Sequence, residues 1–312
     1  MTYKNDITII LPVYEDTSST KLLAKDISGL SEFQARLVII DDGSRLYPPQ
    51  YEDFSDLALN IKIIRLKENC GHQVAIAVGL KYVAANFPNS PVIVMDADGE
   101  DPANAIPHLY NSLGEKKSVI VAGRLNRHRS VIIRFCYVIY WCTARVLTGH
   151  SICFGNFSAL SASAVAKIGK LETTPVHFAA TIIASSLRYS VFRIERNERY
   201  CSQSKMTFVG LVKLAFRSIS LFRRKVFIRL TALSVPGLIL WVDLLYFQFF
   251  LDASFFIAYQ EIFLVFLSLF LFIPILGFIF LGFIISTIKS NKRIVENTKN
   301  VNILTSDPVT TT

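Results

Sequence analysis

Short runs of Ile, Val and Leu punctuate the first third of the chain: Ile7 to Leu11, Leu37 to Ile40, Ile61 to Leu66 and Val92 to Met95. Each is too short for a buried helix and rich in the β-branched residues that suit a pleated strand. The intervening segments, such as Ser18 to Leu30 and Gln73 to Ala85, carry apolar residues at helical spacing. Continuous apolar strands alternating with amphipathic helices predict a mostly parallel α/β sheet with helices on both faces.

The pattern changes after residue 205. In Met206 to Arg224, Phe208, Leu211, Val212, Leu214, Ala215, Ile219 and Leu221 recur at near-helical spacing with Lys213, Arg217, Arg223 and Arg224 between them. This predicts an amphipathic helix in a membrane's headgroup layer, although an ordinary surface helix has the same pattern. From Leu230 to Leu251 the only charge is Asp243, and from Ile262 to Ile288 there is none. Both runs are long enough to cross a hydrocarbon core of ~30 Å. Arg and Lys flank the pair, whereas the connection holds only the acids Asp252 and Glu261. The positive-inside rule then places both flanks in the cytosol.

The expected organisation is a cytosolic α/β domain over 1–205, a membrane-surface helix over 206–225, two transmembrane helices over 226–290 and a cytosolic tail over 291–312. Both termini are expected inside, and paired spans offer a surface for self-association into a homo-oligomer.

The 312 residues carry a net charge of +9, concentrated beside the apolar tail rather than along a stripe with exposed aromatics. A nucleic-acid partner is therefore not expected. Five cysteines, odd in number and without a Cys-x-x-Cys pair, argue against a disulfide framework or zinc site. Lys4, Asp6, Glu15 and Asp16 interrupt the start of the chain, unlike a signal peptide. The phosphate-binding patterns Gly-x-Gly-x-x-Gly and Gly-x-x-x-x-Gly-Lys-Ser/Thr are absent, and the histidines form no His-x-x-x-His pair.

Polar residues follow the apolar runs. The first run leads into Pro12-Val13-Tyr14-Glu15-Asp16, the second into Asp41-Asp42-Gly43-Ser44 and the fourth into Asp96-Ala97-Asp98. In open α/β sheets ligands bind at the carboxyl ends of strands, so these clusters converge on one edge. Two carboxylates at alternate positions can share a hard divalent cation, Mg²⁺ or Mn²⁺, with the phosphates of a ligand.

Together with Asn69-Cys70-Gly71-His72-Gln73, Gly123-Arg124, Gly155-Asn156-Phe157-Ser158 and Arg196-x-x-Arg199 leading to Ser204-Lys205-Met206, these motifs resemble family 2 glycosyltransferases. The closer resemblance is to their polyprenyl-phosphate branch, which includes dolichol-phosphate mannose synthases and bacterial enzymes acting on undecaprenyl phosphate. It implies a GT-A fold, a nucleotide diphosphate sugar donor, a divalent metal, inversion at the anomeric carbon and a polyprenyl phosphate or other lipid acceptor. A bacterial inner membrane is the implied setting.

Carried onto this chain, the resemblance places Pro12, Tyr14, Asp16 and Asp42 around the nucleoside and Asp96 at the ribose or metal shell. Asp98 becomes the principal metal ligand. Arg124 and Arg127 fall near the acceptor phosphate or donor diphosphate, and Arg196, Arg199 and Lys205 close over the phosphates. Three departures matter. Glu15 stands where Asn is usual, Ser202 stands where Gly is expected before Ser204-Lys205, and Asn156 stands where related bacterial enzymes have an Asp proposed as base. An amide cannot accept the proton, so either the acceptor is already ionised or another group, Asp101 or Glu100, supplies the base.

Overall fold

Asn5–Val13 forms β1, and its alternate residues face opposite ways: Ile7, Ile9, Leu11 and Val13 enter one buried cluster and Ile10 the other. In β2 (Phe33–Asp41) Leu37 and Ile39 are divided in the same way from Val38 and Ile40. Strands covered on both faces need no polar alternation, hence their continuous apolar sequence. The computed structural model describes residues 5–114, 117–124, 131–201, 207–232, 239, 242–243, 281–298 and 303–305.

β3 (Asn60–Leu66), β4 (Val92–Val94), β5 (Val119–Arg124), β6 (Phe154–Leu160), β7 (Tyr189–Ile194) and β8 (Ile303–Thr305) complete a sheet of order β7-β5-β6-β4-β1-β2-β3-β8. The four strands expected from sequence, β4-β1-β2-β3, are mutually parallel. The sheet is nevertheless mixed, because β6 lies antiparallel between β4 and β5, and β8 is antiparallel to β3.

Helices α1 (Thr17–Ser28) and α3 (Ile106–Asn111) cover the face that receives Ile9, through Leu23, Ile27, Ile106 and Leu109. The opposite face is covered by α2 (His72–Asn86), α5 (Ala162–Lys170) and α6 (Phe178–Ala184). Ala144 and Leu147 of α4 (Val131–Thr148) join that second cluster.

Within the stretch 206–225, α7 (Phe208–Ser220) is helical and is followed by helical residues 223–232. Its final turn is buried, with Ile219 in the core and the Ser218 hydroxyl 2.9 Å from the Tyr140 hydroxyl of α4. Phe208, Val209 and Val212 remain exposed. The expected spans lie largely outside the described residues, among which no helix is long and apolar enough to cross a membrane. Residues 281–298 are helical, and Ile284 packs into the same core as α2.

Candidate active site

The carboxyl ends of β1, β2 and β4 lie side by side, so Tyr14, Asp42 and Asp96 emerge at one edge. Pro12, paired with Ile40, is buried just inside it, whereas Tyr14 is exposed. The neighbouring aspartates at the end of β2 part company. Asp41 is fully buried, ion-paired to Arg65 Nε of β3 at 2.8 Å, and accepts the Ser44 N–H at 2.9 Å.

Asp42 turns to the loop before α2 and accepts backbone N–H bonds from Cys70 at 2.7 Å and Gly71 at 2.9 Å. Gly43 makes this approach possible: its φ is +74°, and a Cβ there would lie 2.4 Å from the Glu68 carbonyl carbon. Burial pushes Asp42 up to about 6, with the two amides and His72 opposing the rise. Asp16 caps α1, accepting the Ser19 N–H at 3.4 Å, and its charge is one of those that raise Asp98.

Asp96 Oδ1 lies 3.1 Å from His72 Nε2 and 3.4 Å from Asn156 Nδ2. Burial alone would raise Asp96, but His72, Arg196 and the Asn156 amide override it and hold the carboxyl well below the usual range. Desolvation pulls His72 down, yet the Asp96 carboxylate outweighs it and leaves the imidazole raised. Asp98 accepts the Glu100 N–H at 3.0 Å and pairs with Arg199 at 3.0 Å. Burial and the adjacent Asp96 charge push Asp98 up, against the pull of Arg199 and Arg196.

The segment after β7 closes on this acidic loop. Arg196 pairs with Glu100 and, at 3.2 Å, with Asp101, and Arg199 Nε lies 2.7 Å from Glu100. The backbone adds Asn197 N–H to the Glu100 carbonyl and Tyr200 N–H to the Asp98 carbonyl, each at 3.1 Å. The Tyr200 ring lies against Gly99, where a Cβ would fall 2.3 Å from it, and its hydroxyl bonds to Asp26. Both carboxyls named as alternative bases, Glu100 and Asp101, are thus engaged in ion pairs.

Arg124 ends β5 opposite Ile194, while Arg127 and Lys205 lie outside the described residues. Gln73, which the motifs leave without a role, donates its Nε2–H to Asn156 Oδ1 at 3.2 Å and accepts the Phe178 N–H on its Oε1 at 2.5 Å. Its signal was its place beside Gly71 and His72 at the start of α2.

The residues suit a divalent cation that arrives with a phosphate ligand. Asp96 and Asp98 are hard oxygen donors whose mutual repulsion already raises Asp98. Among the described residues no three His, Cys, Asp or Glu side chains form a complete cage, so further ligands would come from phosphate. Arg196 Nε is a buried donor with no hydrogen-bond partner, suited to an anionic oxygen.

A Rossmann-like sheet with strand-end carboxylates and an arginine clamp defines a glycosyltransferase of GT-A type. Residues 8–134 match the model of glycosyl transferase family 2. An uncharacterized glycosyltransferase, YkcC of Bacillus subtilis, is 23% identical over 70% of this chain and 68% of its own length. An undecaprenyl-phosphate 4-deoxy-4-formamido-L-arabinose transferase of Pectobacterium carotovorum is 23% identical over 86% of this chain and 84% of its own. Glucosyl-3-phosphoglycerate synthase of Mycobacterium tuberculosis, solved with Mn²⁺, UDP-glucose and phosphoglyceric acid, shares the fold. Its TM-score is 0.51, with 14% identity, 71% of this chain and 80% of that one covered.

Proposed function

We propose that the chain moves a hexose from a nucleotide diphosphate sugar, a UDP-sugar, to the phosphate of a polyprenyl phosphate at the cytosolic leaflet, inverting the anomeric centre. The observation that carries this reading is the amide at Asn156. Its Oδ1 is taken by Gln73 and its Nδ2 faces Asp96 and His72, so it orients neighbours and accepts no proton. An acceptor phosphate needs no base because it is already ionised at neutral pH. Undecaprenyl phosphate in the name of the Pectobacterium relative supports the same acceptor class.

In this reading Pro12, Tyr14, Asp16 and Asp42 hold the nucleoside, and Arg196, Arg199 and Lys205 hold the diphosphate. Asp96 and Asp98 hold Mg²⁺ or Mn²⁺, which when bound neutralises charge on the diphosphate. By resemblance, Arg124 and Arg127 are assigned to the acceptor phosphate or the donor diphosphate. A phosphate oxygen of the acceptor attacks the anomeric carbon, and the bond to the nucleoside diphosphate breaks, taking its electron pair. No proton leaves the nucleophile.

A lipid acceptor requires a bilayer surface, and α4 offers one. Phe135, Val138, Ile139 and Trp141 are exposed along it, with Phe135 at 66%. No Asp or Glu occurs from Lys116 to Leu171 or from Tyr200 to Val242, so α4, α7 and residues 223–232 carry cationic groups and no acidic ones. Such a surface suits anionic headgroups.

The test is incubation of the full chain with UDP-sugars, Mn²⁺ and either undecaprenyl phosphate or diacylglycerol. A glycosyl phosphate lipid is expected. Glycosylation of diacylglycerol alone would sink the phosphate acceptor, and no product with any donor would sink the reaction.

A further inference from the structure

Glu15 adopts φ +49°, a left-handed conformation uncommon for a residue with a long side chain. Its carboxylate shows what compensates. Oε1 accepts the Arg45 N–H at 2.6 Å, Oε2 accepts the Tyr47 N–H at 2.9 Å, and the Leu46 N–H reaches Oε2 at 3.0 Å. Three consecutive amides turned to one anion form a backbone nest, here filled by the chain's own side chain.

The surrounding bonds make this a junction between two loops. The Glu15 N–H donates to the Ser44 hydroxyl at 2.8 Å, and the Thr17 hydroxyl donates to the Tyr47 carbonyl at 2.7 Å. The Asp42 N–H reaches the Val13 carbonyl at 2.8 Å. The loop after β1 is therefore fastened to the loop after β2 from Asp42 to Tyr47.

The fastened loop carries Leu46, 77% exposed, and Tyr47, 67% exposed, beside the half-open Tyr14. Large apolar side chains on an immobilised backbone lose little entropy when a flat ring settles on them, and base–aromatic stacking is favourable and tolerant of base identity. We infer that Glu15 is a positioning residue: its carboxylate fixes Leu46 and Tyr47 as the outer wall of the donor's nucleobase pocket. This rests on the reading of this edge as the nucleotide-sugar site. Asn at position 15 would suit the left-handed backbone better, but with one methylene fewer it cannot span the three amides in the same way.

Glu15→Gly separates the two effects, because it relieves the backbone while deleting the pin. Glu15→Gln keeps the length and one acceptor oxygen, and Tyr47→Ala removes the wall alone. The full chain in detergent is compared by hydrogen exchange at residues 44–47, thermal unfolding, and calorimetric binding of UDP with Mn²⁺. In Glu15→Gly the 45–47 amides are expected to exchange faster and UDP to bind about fivefold or more weakly, the scale of one lost stacking contact. Glu15→Gln should fall between, and Tyr47→Ala should match the affinity loss with the amides still protected. Faster exchange with unchanged UDP affinity would overturn the wall, and unchanged exchange would overturn the pin. A wild-type chain that binds neither UDP, CDP nor GDP would remove the donor reading itself, and this inference with it.

Discussion

Gln73 decides which way Asn156 faces. Its Oε1 already accepts the Phe178 backbone N–H at 2.5 Å, so only its Nε2 is left to meet Asn156, at 3.2 Å. Asn156 must answer with its carbonyl oxygen and turn its NH₂ toward Asp96.

Gln73→Glu keeps an acceptor for Phe178 but takes away the donor to Asn156. The Asn156 amide is then free to reverse and set its carbonyl against the Asp96 carboxylate. Turnover is expected to fall about tenfold to 100-fold with little loss of thermal stability, since misorientation alone carries such factors. Gln73→Leu should in addition lose about 1–3 kcal/mol of stability, because the Phe178 N–H is left unpaired. Steady-state kinetics beside thermal unfolding separates the two variants.

Asp98→Asn removes half of the carboxylate pair while keeping its shape. Metal-dependent turnover is expected to drop at least about 100-fold, the scale for deleting one charge-stabilising group. Raising Mn²⁺ should not restore it. The unfolding temperature should stay close to that of the parent, and normal activity would overturn the metal assignment.

In the proposed donor site, Asp42 would make UDP binding depend on pH. Burial raises its carboxyl to about 6, so below that pH it is protonated and has only one bare oxygen to offer. UDP affinity is expected to weaken as pH falls from 7 through 6, with a flatter profile in Asp42→Asn. Stability moves the other way. The folded chain binds the proton more tightly than the unfolded one, so this group's contribution declines as pH rises from about 4 to 6.

His177 shows the opposite linkage. It is buried at the start of α6, its Nδ1 accepts the Ala180 N–H at 3.2 Å, and burial holds it down at about 4. An unfolded histidine titrates near 6.5, so the stability is complete above that pH and is lost as pH falls toward 4. The loss is on the order of 3 kcal/mol. Denaturant melts across this window should be steeper in pH for the parent than for His177→Asn, which keeps a capping oxygen.

Trp141 reports on the exposed face of α4. With Trp241→Phe it becomes the chain's one tryptophan. In vesicles containing anionic lipid its emission is expected to shift to the blue and to be quenched by brominated acyl chains. Red, unquenched emission from protein that floats with the vesicles would take α4 out of the bilayer while leaving the acceptor chemistry to its own test.

The central strands were legible because burial on both faces writes an uninterrupted apolar run. β6 was not, since Phe154–Leu160 contains Gly155, Asn156 and the fully buried Ser158, and nothing local marks it as antiparallel. The strand-end acids were legible as a group but not one by one. Asp41 and Asp42 are neighbours in sequence, and only Arg65 on the adjacent strand shows that the first is structural. The arginines after β7 were expected at phosphates, whereas their pairing with Glu100 and Asp101 depends on contacts nearly a hundred residues away. Glu15 was visible as a departure from the family pattern. Its partners, amides thirty residues on, were not.

The pairing of β8 with β3 bears on how the chain is made. Ile64 has Thr305 as its partner, so the outer side of β3 must wait for residues synthesised roughly 240 positions later. At ordinary elongation rates that delay is on the order of tens of seconds. During it β3 is a bare edge of the kind that recruits stray strands. Truncation before Ile303 would make that vulnerability permanent, so solubility after a C-terminal cut is an assay of strand completion as well as of the proposed membrane attachment.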